Sequence, residues 1–290
     1  MENKLYRTNT FKIVGRLLSA NVRTGNRKDN GNGYISVDVT MSSVIGGKTK
    51  EFEVNFFTNE LTADKKPSQL YASYAKLPEM VNKKIEVSGE IRENRYYSSN
   101  LGQLISTQQL SGRWVRGVAE TSADEATYEL GGFVVKTILE RQNKEGEIYR
   151  YDLTIGQSNF SGTSMSMFTL HVNPNDREII AGVDAYNAGD TIWVKGVLDF
   201  SVEQVTSKVA HEGGFGEPVT RVYTNRQKNF YITGGSAPID NETTYSPETI
   251  KALIDAYKAH DVELTAKTGA VESVAPAASA TVTRRQASLI

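Results

Sequence analysis

Basic and aromatic side chains alternate along several segments of this sequence, most densely in Arg92-Glu-Asn-Arg-Tyr-Tyr. Cationic side chains contact phosphates and aromatic rings stack on unpaired bases, so this combination suits a single-stranded nucleic acid. Tyr and Arg are also common in strands, where they cover a sheet edge. In the first half of the chain we predict contacts to nucleic acid from the following residues: Arg23, Arg27, Lys28, Tyr34, Lys48, Lys50, Phe57, Arg92, Arg95, Tyr96, Tyr97 and Trp114.

A second basic and aromatic stretch lies in the later half, and we predict that a DNA strand continues onto it. Its members are Arg221, Tyr223, Arg226 and Lys228. Trp193 occupies the outward phase of a predicted strand, at the position that Glu86 holds in the first half. This position fits a stacking platform and equally a seam between two barrels, so both interpretations stay open.

The net charge of −1 conceals an uneven distribution of charge. Residues 1–117 hold 18 of the 33 Lys and Arg but 11 of the 34 Asp and Glu. A basic half beside an acidic half says more about partners than the overall pI does, and the alternative of a merely uneven surface charge stays open.

Motifs of catalysis are incomplete in this sequence. There is no cysteine, and the three histidines are scattered. Gly46-Gly47-Lys48-Thr49 lacks the first glycine of a phosphate-binding loop, and the segment around Ser164 lacks the last glycine of a hydrolase elbow. We therefore predict a protein without enzymatic activity, cofactor or metal.

The chain contains two copies of one plan. Phe11-Lys-Ile-Val-Gly-Arg matches Tyr128-Glu-Leu-Gly-Gly-Phe, and Lys84-Ile-Glu-Val-Ser-Gly matches Thr191-Ile-Trp-Val-Lys-Gly. In each copy, residues alternate as in half-buried strands. One helix is predicted per copy, over residues 67–81 with an end near Leu77 and over residues 176–186.

Five strands with a helix between the third and fourth follow the order of the OB-fold, a Greek-key barrel. We predict an all-β protein with short helices, built from two tandem five-stranded OB-fold barrels, a C-terminal helix and a flexible tail. The predicted boundaries are residues 1–118 and 119–235 for the barrels, 236–261 for the region of an amphipathic helix (247–260), and 262–290 for a disordered tail.

Ile85-Glu-Val-Ser-Gly-Glu-Ile-Arg-Glu-Asn-Arg-Tyr resembles the fourth-strand segment of bacterial single-stranded DNA-binding proteins, and Thr10-Phe-Lys-Ile-Val-Gly-Arg-Leu resembles their opening strand. The resemblance covers about 100 residues of the first copy and, more faintly, the second. It implies a stacking role for Tyr96, in the place of a tryptophan, and for Phe57. It also implies sequence-tolerant binding of single-stranded DNA in replication, recombination or repair.

The chain departs from that family in three respects. The family has one barrel per chain and assembles as tetramers, whereas two barrels here could replace part of that assembly; oligomers are not excluded. The family's acidic, phenylalanine-ended tail is missing. The divergence and the lack of cysteine are more typical of a bacteriophage protein than of a housekeeping one.

No apolar stretch reaches the ~20 residues that cross a bilayer, and the start lacks a signal-peptide apolar region, so we expect a cytoplasmic protein, in the host cytoplasm if viral. The C-terminal region is a candidate contact for replication or recombination proteins. Two alternatives stay open: an RNA-binding module, and an OB-fold module that holds other proteins.

Overall fold

The structure is a computed structural model that describes residues 5–28, 31–209 and 219–269, without the side chains of 202–209, 219–226 and 267–269. The described residues are mostly β-strand, as predicted. The strands are β1 (Asn9–Asn26), β2 (Gly33–Ile45), β3 (Lys48–Asn59), β4 (Lys84–Ser98), β5 (Gln103–Gly117), β6 (Glu125–Gln142), β7 (Ile148–Ser158), β8 (Met165–Val172), β9 (Thr191–Val209) and β10 (Val219–Gly235).

Strands β1 to β5 close into a ring, which we call the first ring. Its order is β2-β3-β5-β4-β1, and β1 returns to pair with β2. Strand β1 is long enough to pair with both β4 and β2. Its first half pairs with β4 and its second half with β2, and a bulge between Leu17 and Ser19 interrupts the register with β2. A short parallel pairing of β3 with β5 completes a five-stranded barrel of the OB type.

Alternation along the strands fills this barrel. Ile35, Val37, Val39 and Met41 of β2 are all buried, as their period of two predicts. The residues between them point outward and are only partly buried. The pattern thus separates a core face from a face that is open to a ligand.

Strands β6 to β10 form the second ring, in the order β6-β7-β8-β10-β9 with an additional β6–β9 pairing. Its parallel contact is a single residue pair, Tyr231 with His171. The ribbon of β9 and β10 is long, and the segment between its strands, residues 210–218, lies outside the described residues.

Glycines at matched positions allow the same close approach in both rings. A Cβ built on Gly15 would lie 2.2 Å from the Ser42 carbonyl oxygen, and one on Gly132 would lie 2.2 Å from that of Gly156. For Gly89 the carbonyl oxygen of Ser111 would be 2.0 Å away. Each strand therefore needs glycine where a neighbouring backbone passes.

The two rings join through an antiparallel pairing of β1 with β6, which we call the seam. Phe11 pairs with Tyr128, and these two residues are equivalent in the sequence repeat. A pairing of equivalents is the pattern of a two-fold axis, as in an isologous dimer. The hydrophobic core is continuous between the two strand rings. Across the boundary, the aromatic side chains of Phe52 and Phe200 have their centroids 5.2 Å apart.

The helices are short in both rings and long at the C-terminus. They are α1 (Gln69–Ala75), followed by a 3₁₀ helix (Leu77–Met80), α2 (Arg177–Asp184) and α3 (Pro247–Gly269). Ser68 caps α1 and Asp176 caps α2. Among the described residues, no helix is long and apolar enough to cross a membrane.

The C-terminal helix is longer than predicted, since residues 262–269, expected in a disordered tail, are helical. Leu264 continues the stripe of Ile250, Leu253 and Tyr257 at a spacing of seven from Tyr257. The hydroxyl of Thr265 donates to the Asp261 carbonyl (2.8 Å), a bond within the helix. Few apolar residues mark this turn, so periodicity alone did not reveal it.

We expect Gly89→Ala to destabilise the protein by about 1–3 kcal/mol or more, because its methyl group would meet the Ser111 carbonyl. Gly182→Ala in α2 is the control, since its Cβ meets nothing within 4 Å and alanine favours a helix. Urea unfolding measures both; equal stability of the two variants would contradict the close approach.

Candidate nucleic-acid interface

An aromatic pair lies on the outer face of β2 and β3. Phe56 fills the core, so its neighbour Phe57 points outward, where 46% of it is exposed. The ring of Tyr34 lies 5.6 Å from that of Phe57, tilted by 31°. Together the two side chains offer an apolar surface that a planar ring can contact.

The cations predicted beside this pair differ in their surroundings. Arg27, Lys28 and Lys48 are exposed at the ends of strands. Arg23 is exposed too, but it forms an ion pair with Asp38. Asp38 also accepts a hydrogen bond from the Asn55 amide (2.7 Å), so this carboxylate is held in place beside the aromatic pair.

Strand alternation divides the predicted cluster on the β4–β5 ribbon. Arg92 and Tyr96 share the outer face, and 45% of Tyr96 is exposed. Arg95 and Tyr97 belong to the opposite face and are partly buried. Neighbours on a strand point in opposite directions, so these four residues cannot form one surface.

Arg95 is placed differently from expectation, because α3 covers it. Its side chain is 10% exposed, pairs with Asp261 and lies 3.4 Å above the centre of the Tyr257 ring. The Tyr257 hydroxyl donates to the Glu93 carboxylate (2.6 Å). Burial and then this carboxylate raise the pKa of Tyr257, which keeps the phenol protonated. Arg95 therefore holds the helix in this arrangement and contacts no solvent-facing groove.

Trp114 is exposed on β5, at 58%, opposite Ser88. The Arg113 guanidinium lies 5.7 Å from the centre of its ring. Trp114 is therefore not a core residue, although a tryptophan in a strand commonly is one. Its exposed face is available for stacking.

Two of the predicted cations link the rings. Lys50 of β3 pairs with Asp199 of β9, and Lys228 of β10 lies 3.4 Å from the Glu53 carboxylate of β3. These contacts cross from one ring to the other. Their direct effect is to stabilise the arrangement of the two rings rather than to contact a ligand.

The remaining predicted residues lie in the second ring. Trp193 is half-buried on β9, opposite Gly131 of β6 and one strand away from the seam. The backbones of Arg221, Tyr223 and Arg226 belong to β10, and their side chains lie outside the described part of the structure.

A cleft of about 1100 Å³ lies between the rings. It contains a charged cluster that the sequence analysis did not predict. The buried Asp152 carboxylate contacts His171 Nδ1 (2.8 Å), Arg141 Nε (2.6 Å) and Arg150 Nε (3.0 Å). Burial raises the pKa of Asp152, but the hydrogen bonds from His171 and Arg141 and the charge of Arg150 outweigh it and lower the pKa to about 2. The cluster thus carries net positive charge towards the cleft.

The sequence reading also missed Phe160 and Arg7, which lie beside Arg92 at the seam. A large aromatic residue within a polar turn between strands was the available signal, because such turns seldom need an apolar ring. The Asp152 cluster had no local signal, because its members come from three strands. In the described ranges, no group of three or more His, Cys, Asp or Glu is arranged to hold a metal ion.

Comparisons with known proteins give the family of the chain. A family model described as YorF matches residues 7–267, and the chain belongs to the YorF family. No curated protein matches the sequence.

Solved structures give the fold. The wild-type single-stranded DNA binding protein from Thermus aquaticus matches with a TM-score of 0.50 and 12% identity, over 81% of this chain and 95% of that chain. A deletion mutant of it matches with a TM-score of 0.49 and 13% identity, over 83% and 98%. A replication protein A heterotrimer bound to ssDNA matches with a TM-score of 0.22 and 13% identity, over 76% and 49%. The first likeness shows a shared fold.

We expect Asp152→Asn to lower the free energy of unfolding at pH 7 by about 1–3 kcal/mol, because Arg141 loses a charged hydrogen-bond acceptor and Arg150 loses its buried counter-ion. A folded pKa near 2 lies below the unfolded value of about 3.9, so the stabilisation is complete above pH 4 and is lost as the pH falls towards 2. Urea unfolding at pH 7 and pH 3 measures the difference between wild type and variant. A difference that does not shrink at pH 3 would contradict the assignment.

Proposed function

We propose that this protein binds single-stranded DNA with little sequence preference and protects it during replication, recombination or repair. The observation that carries the proposal is the set of exposed aromatic residues, Phe57, Tyr96 and Trp114, on the outer faces of the first ring. Exposed aromatic rings and exposed cations on the same barrel are the combination that a ligand with stacking bases and phosphates requires, and this supports the proposal.

The two rings act in this proposal as tandem OB domains, residues 1–118 and 119–235. The matched glycines and the pairing of Phe11 with Tyr128 support a duplicated unit. Both units contribute to one continuous binding surface because the seam and the shared core hold them together.

Affinity comes from two sources. Stacking on Phe57, Tyr96 and Trp114 contributes about 1–3 kcal/mol per base and tolerates any sequence, because every base has a π-face. Lys28, Lys48 and Arg92 are exposed in the first half of the chain, and in this proposal they supply the phosphate contacts. Arg95, Lys50 and Lys228 contribute indirectly, through α3 and through the contacts between the rings.

We expect Phe57→Ala and Tyr96→Ala each to weaken binding of oligo-dT by about 5- to 150-fold, the equivalent of one lost stacking contact. Tyr149→Ala is the matched control, an exposed tyrosine on β7 that the proposal does not use. Fluorescence anisotropy measures the dissociation constants, and oligo-U in parallel compares RNA with DNA. Unchanged affinity in both test variants would refute the stacking surface.

Salt dependence provides an independent test of the phosphate contacts. For wild type, the logarithm of the binding constant should fall linearly with the logarithm of salt concentration. Arg92→Gln should make that slope shallower by about 0.7, the value for one contact to a single strand. Equal slopes for wild type and variant would remove Arg92 from the interface.

A further inference from the structure

A second cleft, of about 560 Å³, lies at the seam and draws its walls from both rings. We call it the seam cleft. The residues that matter are Arg7, Asn9, Arg92, Arg113, Gln157 and Phe160. Arg92 and Arg113 come from the first ring, whereas Gln157 and Phe160 belong to the segment around the end of β7 in the second ring.

The floor of the seam cleft is a network of amide hydrogen bonds between the rings. Asn9 donates to the Ile91 carbonyl (2.9 Å) and to Gln157 Oε1 (3.0 Å), and it accepts from the Ile91 amide (2.8 Å). Gln157 in turn donates to the carbonyls of Thr8 (2.8 Å) and Gly131 (2.6 Å). Because both side-chain amides bridge elements, the two walls of the cleft keep a fixed separation.

Phe160 is held out into solvent by a structured turn. The Asn159 side-chain oxygen accepts from the amides of Thr163 (2.9 Å) and Ser164 (3.3 Å), and Gly162 adopts a positive φ of 69°. The ring is 89% exposed although the turn around it is ordered by these bonds. The turn therefore leaves both the edge and a face of this ring accessible to a planar group.

The Arg7 guanidinium lies 4.9 Å from the centre of the Phe160 ring. It supports one side of the ring, while the high exposure leaves the other side open. This cation–π contact limits the motion of an otherwise unsupported side chain. At an exposed site such a contact is weak, so it favours this orientation of the ring without fixing it.

The walls are positively charged. Arg7, Arg92 and Arg113 are exposed, and the Tyr74 hydroxyl fixes the backbone of Arg113 by donating to its carbonyl (2.9 Å). The Glu90 carboxylate lies 3.7 Å from Arg92, which is a weak, exposed contact. The oxygens of Glu93 already accept from Ser106, Tyr257 and Met167, so this carboxylate is engaged within the protein.

We infer that the seam cleft binds a nucleotide of single-stranded DNA, with the base stacked on Phe160 and the flanking phosphates on Arg92 and Arg113. The strand thereby crosses from the first ring to the second at the seam. This inference rests on the proposed function and adds the route that the DNA strand takes across the protein. A planar aromatic platform between arginines fits an unpaired base and its phosphates better than an acidic peptide, which offers charge but no ring to stack.

The test uses the full chain and oligo-dT of graded length, with affinity and site size measured by fluorescence anisotropy. Phe160→Ala should weaken binding of long oligomers by about 5- to 150-fold and shorten the site size, while oligomers that fill only the first ring bind as to wild type. Arg113→Gln should act in the same direction through the lost phosphate contact. The matched control is Tyr149→Ala, another exposed aromatic residue with an arginine, Arg150, over its ring (5.5 Å).

The outcomes separate the two proposals. If Phe57→Ala weakens binding but Phe160→Ala changes neither affinity nor site size, the proposed function stands and the seam cleft is wrong. If wild type binds no oligo-dT, both fail. Because Phe160 is so exposed, we expect Phe160→Ala to unfold at the same urea concentration as wild type. Any loss of binding is then due to the missing aromatic ring and not to a loss of stability.

Discussion

Strand β1 forms backbone hydrogen bonds along both of its edges over the same residues, with β4 on one side and β6 on the other. A strand in this position cannot shift its register without breaking both ladders and turning its core face outward. The first ring, the seam and the start of the second ring are therefore fixed relative to one another. The clefts between the rings keep their shape for the same reason, since their walls are attached to this strand and its partners.

Several cations that the sequence suggests for a ligand surface instead form ion pairs that hold the rings and α3 together. Lys50 and Lys228 face carboxylates of the opposite ring, and Arg95 faces Asp261 of α3. In the sequence, all three are cations close to aromatic residues, but the carboxylates with which they pair lie at least 149 positions away. Long-range ion pairs of this kind cannot be read from spacing. Arg92, by contrast, stays exposed on the outer face of β4, where its contact with Glu90 is weak and lies within the same strand.

Period-two alternation and matched glycines were sufficient to predict the barrel, because each reports a local constraint on one strand. Burial of Phe56 and Ile91 fixes the phase of β3 and β4, so Phe57 and Tyr96 lie on the outer faces of these strands. The same rule, applied strictly, separates Arg95 from Tyr96, and the predicted cluster did not respect it. Phe160 and the Asp152 cluster were missed because their meaning depends on contacts between strands that are distant in sequence. The end of α3 was not predicted because its last turns carry few apolar residues.

The pairing of Phe11 with Tyr128 gives the molecule the geometry of a symmetric dimer on a single polypeptide. Two identical subunits joined in this way would present the same groups from either side of the axis. Here the covalent link allows the halves to differ, with Arg92 on one flank and Phe160 on the other. A polymer with chemically distinct ends meets these groups in a different order when it is reversed. If single-stranded DNA is the ligand, as proposed, its two orientations would meet different groups on this chain, whereas a homodimer with a true two-fold axis presents the same groups to both.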